Sequence, residues 1–118
     1  MAGDLIDRLE RLLIDAARER RVLTYADAAR LLDIEPPHTI HRAALLIEAM
    51  MRRHAAANAP QLASLVVSKA RGGLPAPGYF EMLRELGLFD GDARGPEAAR
   101  FHAAELRRCF DAAARDSG

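Results

Sequence analysis

Residues 24–78 read TYADAARLLDIEPPHTIHRAALLIEAMMRRHAAANAPQLASLVVSKARGGLPAPG, and the rest of the chain is organised around this stretch. Thr24 is a good helix N-cap, because its hydroxyl can accept from the amides of the next turn while Asp27 approximates a capping box. A short helix is therefore predicted over residues 25–32. The following DIEPP segment ends it, since a proline disfavours helical geometry at the preceding residue.

A longer helix is predicted over residues 37–57, because apolar side chains recur at helical spacing. The inward-facing set is Ile40, Ala43, Ala44, Ile47, Met50, Met51, His54 and Ala55. The opposite face is basic and partly apolar, with His38, His41, Arg42, Leu45, Leu46, Ala49, Arg52 and Arg53. Asn58 and Pro60 end this helix.

A strand and a tight loop are predicted next. LASLVVSK, residues 62–69, is the stretch richest in the β-branched residues typical of strands. ARGGLPAPG, residues 70–78, combines three glycines with two prolines and indicates a loop. Helix, turn, longer helix, strand and loop together indicate a winged helix-turn-helix, in which residues 69–78 form the wing.

Amphipathic helices are predicted on both sides of this unit. Residues 3–20 place leucines at helical spacing, residues 79–87 form a short helix, and residues 96–115 form the last one. We therefore expect a mainly α, single winged-helix domain over residues 1–118, with its core in residues 22–89. The first or last amphipathic helix is expected to form a homodimer.

Composition narrows the class of protein. The chain of 118 residues is long enough to bury one core without disulfides, and a single cysteine excludes an internal disulfide. With no apolar run long enough to span a bilayer, a cytoplasmic protein is expected. The net charge is zero, but residues 36–72 hold five Lys and Arg side chains against Glu48 alone. The basic excess therefore falls on the long helix and the loop.

This distribution of charge and the order of the elements predict a DNA-binding, regulatory protein. In a helix-turn-helix the second helix lies in the major groove, while basic residues nearby hold phosphates. The groove-facing residues would be His38, Thr39, His41, Arg42 and Leu45. The phosphate-binding residues would be Arg52, Arg53, Lys69 and Arg71. The alternative for these charges is a solvated face on a small scaffold.

A protein-interaction adaptor is the second function that we consider. Leu45 and Leu46 lie on the outward face of the long helix, where a simple monomer rarely exposes two neighbouring leucines. Together with Met50 and Met51 they would bind a partner helix.

Catalytic and metal-binding patterns are absent from the sequence. His38 and His41 could share a metal ion, but no Asp, Glu or Cys at ligand spacing completes the site. Cys109 lies within an apolar stripe, so core packing is the better interpretation than a nucleophile, and His54 and His102 are expected to be buried as well. The glycine loop matches neither the dinucleotide nor the phosphate-loop pattern. We expect no enzyme activity, no cofactor and no metal.

Three segments resemble the winged-helix part of the methylguanine alkyltransferase and alkyltransferase-like family. They are LTYADAARLL (23–32), LVVSK (65–69) and GGLPAPGYF (72–80). The family pattern runs Thr-Tyr-Gly-Asp-aliphatic-Ala, a recognition helix, Pro-Cys-His-Arg followed by two aliphatic residues, and Gly-Tyr. A related wing pattern is similar to the N-terminal region of some putative HNH endonucleases.

The resemblance implies DNA binding without alkyl transfer. When LVV is aligned with the strand that follows Pro-Cys-His-Arg, Ala63 and Ser64 occupy the cysteine and histidine positions, and the arginine is missing too. The nucleophile and its base are therefore absent. Tyr25 and Arg42 are the positions that the resemblance implies to be DNA-facing.

Overall fold

The computed structural model describes residues 2–117 and is mainly helical, which confirms the predicted class. In chain order the elements are α1 (Ala2–Arg18), β1 (Leu23–Thr24), α2 (Tyr25–Leu31), α3 (Thr39–Ala56), β2 (Val66–Val67), α4 (Pro77–Glu85) and α5 (Pro96–Ser117). Two short 3-10 helices, Leu62–Leu65 and Lys69–Arg71, lie on either side of β2. Within residues 2–117, no helix has both the length and the apolar character required to cross a membrane.

The start of α2 follows from the capping box. The Thr24 hydroxyl accepts from the Asp27 amide at 3.0 Å, and the Asp27 carboxylate accepts from the Thr24 amide at 3.1 Å. These two bonds satisfy amide groups that the first turn of a helix otherwise leaves unpaired. The predicted helix is thereby confirmed, with its last helical residue one position earlier, at Leu31.

The second helix of the motif, α3, begins two residues later than predicted. His38 precedes it in a left-handed conformation with φ of 58°, so the helical hydrogen-bond pattern starts only at Thr39. Met50, Met51 and His54 on its inward face are buried, as predicted. Ile40 is the exception, being 53% exposed, because it borders an open groove rather than the core.

The predicted strand over residues 62–69 is much shorter in the structure. Within this stretch the strand is limited to Val66 and Val67, which pair in parallel with β1 in the register Leu23–Val66 and Thr24–Val67. Because β1 has only two residues, it can form backbone hydrogen bonds with no more than a two-residue strand. The preceding residues instead form a 3-10 turn with its own local hydrogen bonds. Over the described part of the chain, no third strand follows β2 to complete an antiparallel wing hairpin.

A compact turn replaces the expected wing, and we refer to residues 68–76 as the β2–α4 turn. The Ser68 amide donates to the Leu74 carbonyl at 2.8 Å, and the Gly73 amide donates to the Ser68 carbonyl at 3.1 Å. Gly72 and Gly73 have φ of 65° and 89°, values that most side chains avoid. The glycine pair therefore allows the chain to reverse directly after β2.

The segment between α3 and β2 is fixed to α4 and α5 by buried polar groups. His102 donates from Nε2 to the Ser64 carbonyl at 2.8 Å, and the Ser64 hydroxyl bonds the Tyr79 hydroxyl at 2.5 Å. The Glu105 carboxylate accepts from the Gln61 amide at 3.0 Å. Because these groups are buried, each hydrogen bond avoids the cost of an unpaired polar atom.

The predictions for Cys109, His54 and His102 are confirmed, since these residues are 1%, 5% and 6% exposed. Cys109 donates from Sγ to the Gln61 carbonyl at 3.3 Å. Burial raises the pKa of the Cys109 thiol to about 12, so the thiol stays protonated at neutral pH. Its place in the structure is therefore that of a core residue.

Candidate nucleic-acid interface

An open groove lies where the N-terminal ends of α2 and α3 face the β2–α4 turn, and we call it the α3 groove. Its volume is about 590 Å³. The lining residues are Thr24, Tyr25, Ala26, Ile40, His41, Ala44, Val67, Ser68, Lys69 and Ala76. The groove thus combines the start of the second helix of the motif with the turn that sequence analysis assigns to the wing.

Tyr25 forms a wall of this groove and braces the turn. Its ring is 8% exposed, and its hydroxyl accepts from the Ala76 amide at 3.0 Å. Burial raises the pKa of the Tyr25 phenol, which is therefore neutral at physiological pH. Tyr25 was expected to face DNA, but most of its surface and its hydroxyl are used to hold the β2–α4 turn against α2.

Two exposed basic side chains line the groove from opposite walls. His41 extends from the first turn of α3, and Lys69 lies in the β2–α4 turn. His38 is exposed immediately before α3, and Thr39 is half-buried in its first turn. Arg42 is exposed outside this groove, and its guanidinium donates to the Glu35 carbonyl at 2.5 Å.

The expected phosphate-binding set is not gathered on one face. Arg52 pairs with Glu85 on α4 at 2.8 Å, and Arg53 pairs with Asp7 on α1 at 2.7 Å. Neither arginine lines the α3 groove. Arg52 and Arg53 are adjacent in the sequence, but they pair with helices on different sides of α3. Helical spacing alone could not indicate this, because it does not show where α1 and α4 pack.

Arg71 is also engaged by the fold. Its guanidinium donates to the Ala93 carbonyl at 2.5 Å and lies 5.7 Å from the centre of the Phe80 ring. This half-buried side chain therefore ties the β2–α4 turn to the segment before α5. Of the four predicted phosphate-binding residues, Lys69 is the one that lines the groove.

Acidic side chains limit the basic surface towards the C-terminal half of α3. Burial raises the pKa of Glu48, and the nearby carboxylate of Glu81 raises it further. Glu85 acts in the same direction, while His41 and Arg52 oppose it. An anion approaching α3 is therefore favoured at the N-terminal turns rather than beside Glu48.

A second groove, lined mainly by aliphatic side chains, lies on another face of α3 and has a volume of about 580 Å³. It is lined by Leu5, Ile6, Leu32, Asp33, Ile34, Glu35, Arg42, Leu45, Leu46 and Ala49. Leu45 is 52% exposed, whereas Met50 and Met51 are fully buried. The two methionines are thus removed from the predicted adaptor surface, and residues of α1 and of the α2–α3 turn take their place.

The signal for the added residues was partly in the sequence. Leu5 and Ile6 broaden the apolar stripe of α1 beyond the width that one packing partner needs, but which residues they meet depends on the angle between α1 and α3.

Within residues 2–117, no three His, Cys, Asp or Glu side chains come together in a way that could hold a metal ion. Comparison with protein-family models, curated proteins and solved structures found no match to the chain.

Proposed function

We propose that the chain is a non-catalytic helix-turn-helix protein, with the β2–α4 turn in place of a wing, that binds duplex DNA through the N-terminal turns of α3 and that turn. The supporting observation is that His41 and Lys69 line an open groove while His38 is exposed at the start of the same helix. The N-terminal residues of such a helix are the ones that reach base edges, and a lysine beside them suits a phosphate.

In this proposal each side chain has a defined task. His38, Thr39 and His41 contact base edges, and Lys69 binds the backbone. Arg42 contacts DNA from the outer edge of the same turn once the DNA replaces its bond to the Glu35 carbonyl. Arg52 and Arg53 contribute little, because carboxylates of Glu85 and Asp7 already pair with their charges. Arg71 contributes little because it is half-buried and bonded to the Ala93 carbonyl. A homodimer through α1 or α5 and a cytoplasmic location stay predictions of this proposal.

The decisive experiment is a fluorescence anisotropy titration of mixed-sequence duplex DNA at low and moderate salt. Neutralised phosphates make binding salt-dependent, and loss of one phosphate contact in Lys69→Glu should reduce the slope against log salt by about 1. Arg52→Glu is the matched control, since it makes the same charge change on the same protein outside the groove. It should bind nearly as the parent does.

Two results would count against the proposal. One is the absence of duplex binding by the parent protein at low salt. The other is an equal loss of binding in Lys69→Glu and Arg52→Glu, which would indicate a general effect of net charge rather than a contact in the groove.

We propose protein interaction as the second candidate, favoured by the apolar groove beside Leu45. The exposed carboxylates of Asp33 and Glu35 border this groove, so the partner would be an amphipathic helix with apolar and basic side chains. A designed leucine–lysine helical peptide is a suitable probe. Leu45→Lys should abolish its binding, whereas Leu88→Lys, at another exposed leucine, should not.

Isothermal titration calorimetry with both variants separates this candidate from DNA binding. If Leu45→Lys and Leu88→Lys bind the peptide alike, the groove is not its site. If Lys69→Glu leaves the affinity for DNA unchanged and Leu45→Lys leaves the affinity for the peptide unchanged, both proposed surfaces are wrong.

A further inference from the structure

A cavity lies at the other end of α3, between α1 and the C-terminal half of α5, and we call it the α1–α5 cavity. Its volume is about 320 Å³. Its lining includes Glu10, Ile14, His54, Leu62, Cys109, Ala112 and Asp116. Mostly apolar walls with a few polar groups, at this size, are typical of small-molecule sites.

The polar part of the cavity is built around Glu10 and His54. Nε2 of His54 lies 2.5 Å from the Glu10 carboxylate, and the His54 side chain is 7% exposed. Nδ1 of His54 is buried and has no hydrogen-bond partner among residues 2–117. Nε2 thus contacts the carboxylate, while Nδ1 is a buried polar atom beside the cavity without a partner in the described part of the chain.

Glu10 places a carboxylate at the cavity wall, and its side chain is 29% exposed. The Arg53 guanidinium reaches Glu10 only at 3.8 Å, because it makes its close contact with Asp7 at 2.7 Å. Asp116 is a second acidic residue in the lining, and among the described residues no Lys or Arg lines the cavity.

We propose that the α1–α5 cavity binds a small organic cation, an amine with an apolar aromatic or aliphatic body. The ammonium group would donate to the Glu10 carboxylate, and the body would pack against Ile14, Leu62 and Ala112. A charge-assisted hydrogen bond in a partly enclosed site is stronger than one between neutral groups. The thiol of Cys109, protonated at neutral pH, serves as part of the apolar wall.

The cavity is separate from the α3 groove. The thirteen-residue step from His41 to His54 along α3 corresponds to about 20 Å at the rise of an α-helix. The two sites have no lining residue in common. The inference therefore does not depend on DNA binding, and either proposal can fail without the other.

The test uses the full chain and a pair of probes that share an aromatic body and differ in charge, 2-phenylethylamine and 3-phenylpropionate. In ¹H–¹⁵N correlation spectra the amine should give saturable shifts centred on the amides of Ile14, Leu62 and Ala112. The carboxylate should give none there. Glu10→Gln should raise the dissociation constant of the amine about tenfold or more, as expected for loss of a charged hydrogen bond.

Two further variants support the interpretation. Ala112→Leu keeps the carboxylate but fills part of the cavity, so it should weaken binding even if Glu10→Gln fails to fold. Asp111→Asn is the control, because Asp111 is an exposed neighbour that does not line the cavity, and it should bind as the parent does. Equal binding of the two probes, shifts centred elsewhere, or unchanged affinity in Ala112→Leu would each overturn the proposal.

Discussion

The two ends of α3 differ in how far the rest of the chain covers them. At the C-terminal end, Met50 and Met51 are fully buried and His54 is 5% exposed. At the N-terminal end, Ile40 is 53% exposed and His41 lies in an open groove. We call these the closed end and the open end. One helix with a continuous apolar pattern is therefore held firmly at one end and presented to solvent at the other.

This difference separates the parts of α3 that stabilise the fold from those available for recognition. At the closed end, removal of apolar surface from water contributes about 25 cal/mol per Å² to stability. At the open end, comparable side chains remain hydrated and contribute little to folding. Apolar residues at the two ends of α3 therefore contribute differently to the free energy of unfolding. Mutation of one residue at each end tests this difference directly.

The largest effect is expected for Met51→Ala at the closed end. Truncation of a fully buried methionine leaves a cavity and should lower the free energy of unfolding by about 2–5 kcal/mol. Ile40→Ala at the open end is the matched control, with an expected change within about 0.5 kcal/mol. Urea unfolding followed by circular dichroism measures both. Equal losses would mean that Ile40 is covered in solution, for example by a second copy of the chain.

A smaller effect is expected for Thr24→Ala, which removes the cap of α2 beside the open end. Loss of the bond from the Asp27 amide should cost about 1 kcal/mol. Thr24→Ser keeps the accepting oxygen and should retain most of the stability. Thermal unfolding of the three proteins distinguishes the cap from packing of the threonine methyl group, because a packing role would destabilise both variants alike.

The cap also predicts an effect of pH. The hydrogen bond from the Thr24 amide lowers the pKa of Asp27, with the Thr24 hydroxyl acting in the same direction. A carboxyl whose pKa is lowered by folding contributes stability above its unfolded pKa and loses that contribution as pH falls. Thr24→Ala keeps the amide and removes only the share of the hydroxyl, so thermal unfolding at neutral and acid pH should show a slightly smaller difference between parent and variant in acid.

The smallest effect is expected between pH 7.5 and 6, from His102 near the closed end. Burial lowers the pKa of His102 in the folded protein, although its bond to the Ser64 carbonyl opposes this. The ring binds a proton more readily in the unfolded chain. The contribution of His102 to the free energy of unfolding is therefore fully present above the ordinary pKa of 6.5 and decreases as the pH falls below it. The loss is modest because the unfolded ring is only partly protonated near that pH.

Chemical denaturation at several pH values tests this expectation, with His102→Gln as the comparison. The glutamine amide can still donate to the Ser64 carbonyl but does not titrate, so the variant should show a flatter dependence on pH. A parallel dependence in both proteins would assign the acid effect to other groups.

Much of the fold followed from local patterns. The capping residues Thr24 and Asp27 located the start of α2, and the apolar stripes located α1, α3 and α5 to within a few residues. Helix spacing also identified Cys109, His54 and His102 as buried residues. These features depend on neighbours within a few turns, and such neighbours are visible in a linear sequence.

The predicted strand failed for a non-local reason. LASLVVSK has the composition of a strand, but a strand exists only as far as a partner offers hydrogen bonds, and β1 offers two residues. The extent of β1 is set by the capping box that starts α2 directly after it. The local preference of residues 62–69 was therefore overridden by the length of a segment about forty positions earlier.

The candidate site was predicted less well than the fold. Lys69 and His41 lie on opposite sides of one groove, but Arg52, Arg53 and Arg71 are engaged by three different parts of the chain. Charge is readily counted in a sequence, whereas its partners are not. An arginine that faces solvent and one paired with a carboxylate from another helix have the same helical position until the helices are packed.

By itself, the sequence determined the mainly helical class, the helix–turn–helix order within residues 24–56 and most of the buried stripes, because hydrogen bonding and apolar periodicity along a helix are local. Only the tertiary structure decided which end of α3 is open, which cations stay accessible, and where the α1–α5 cavity forms. Those properties depend on the angles and distances between α1, α3 and α5, which no pattern along one helix specifies.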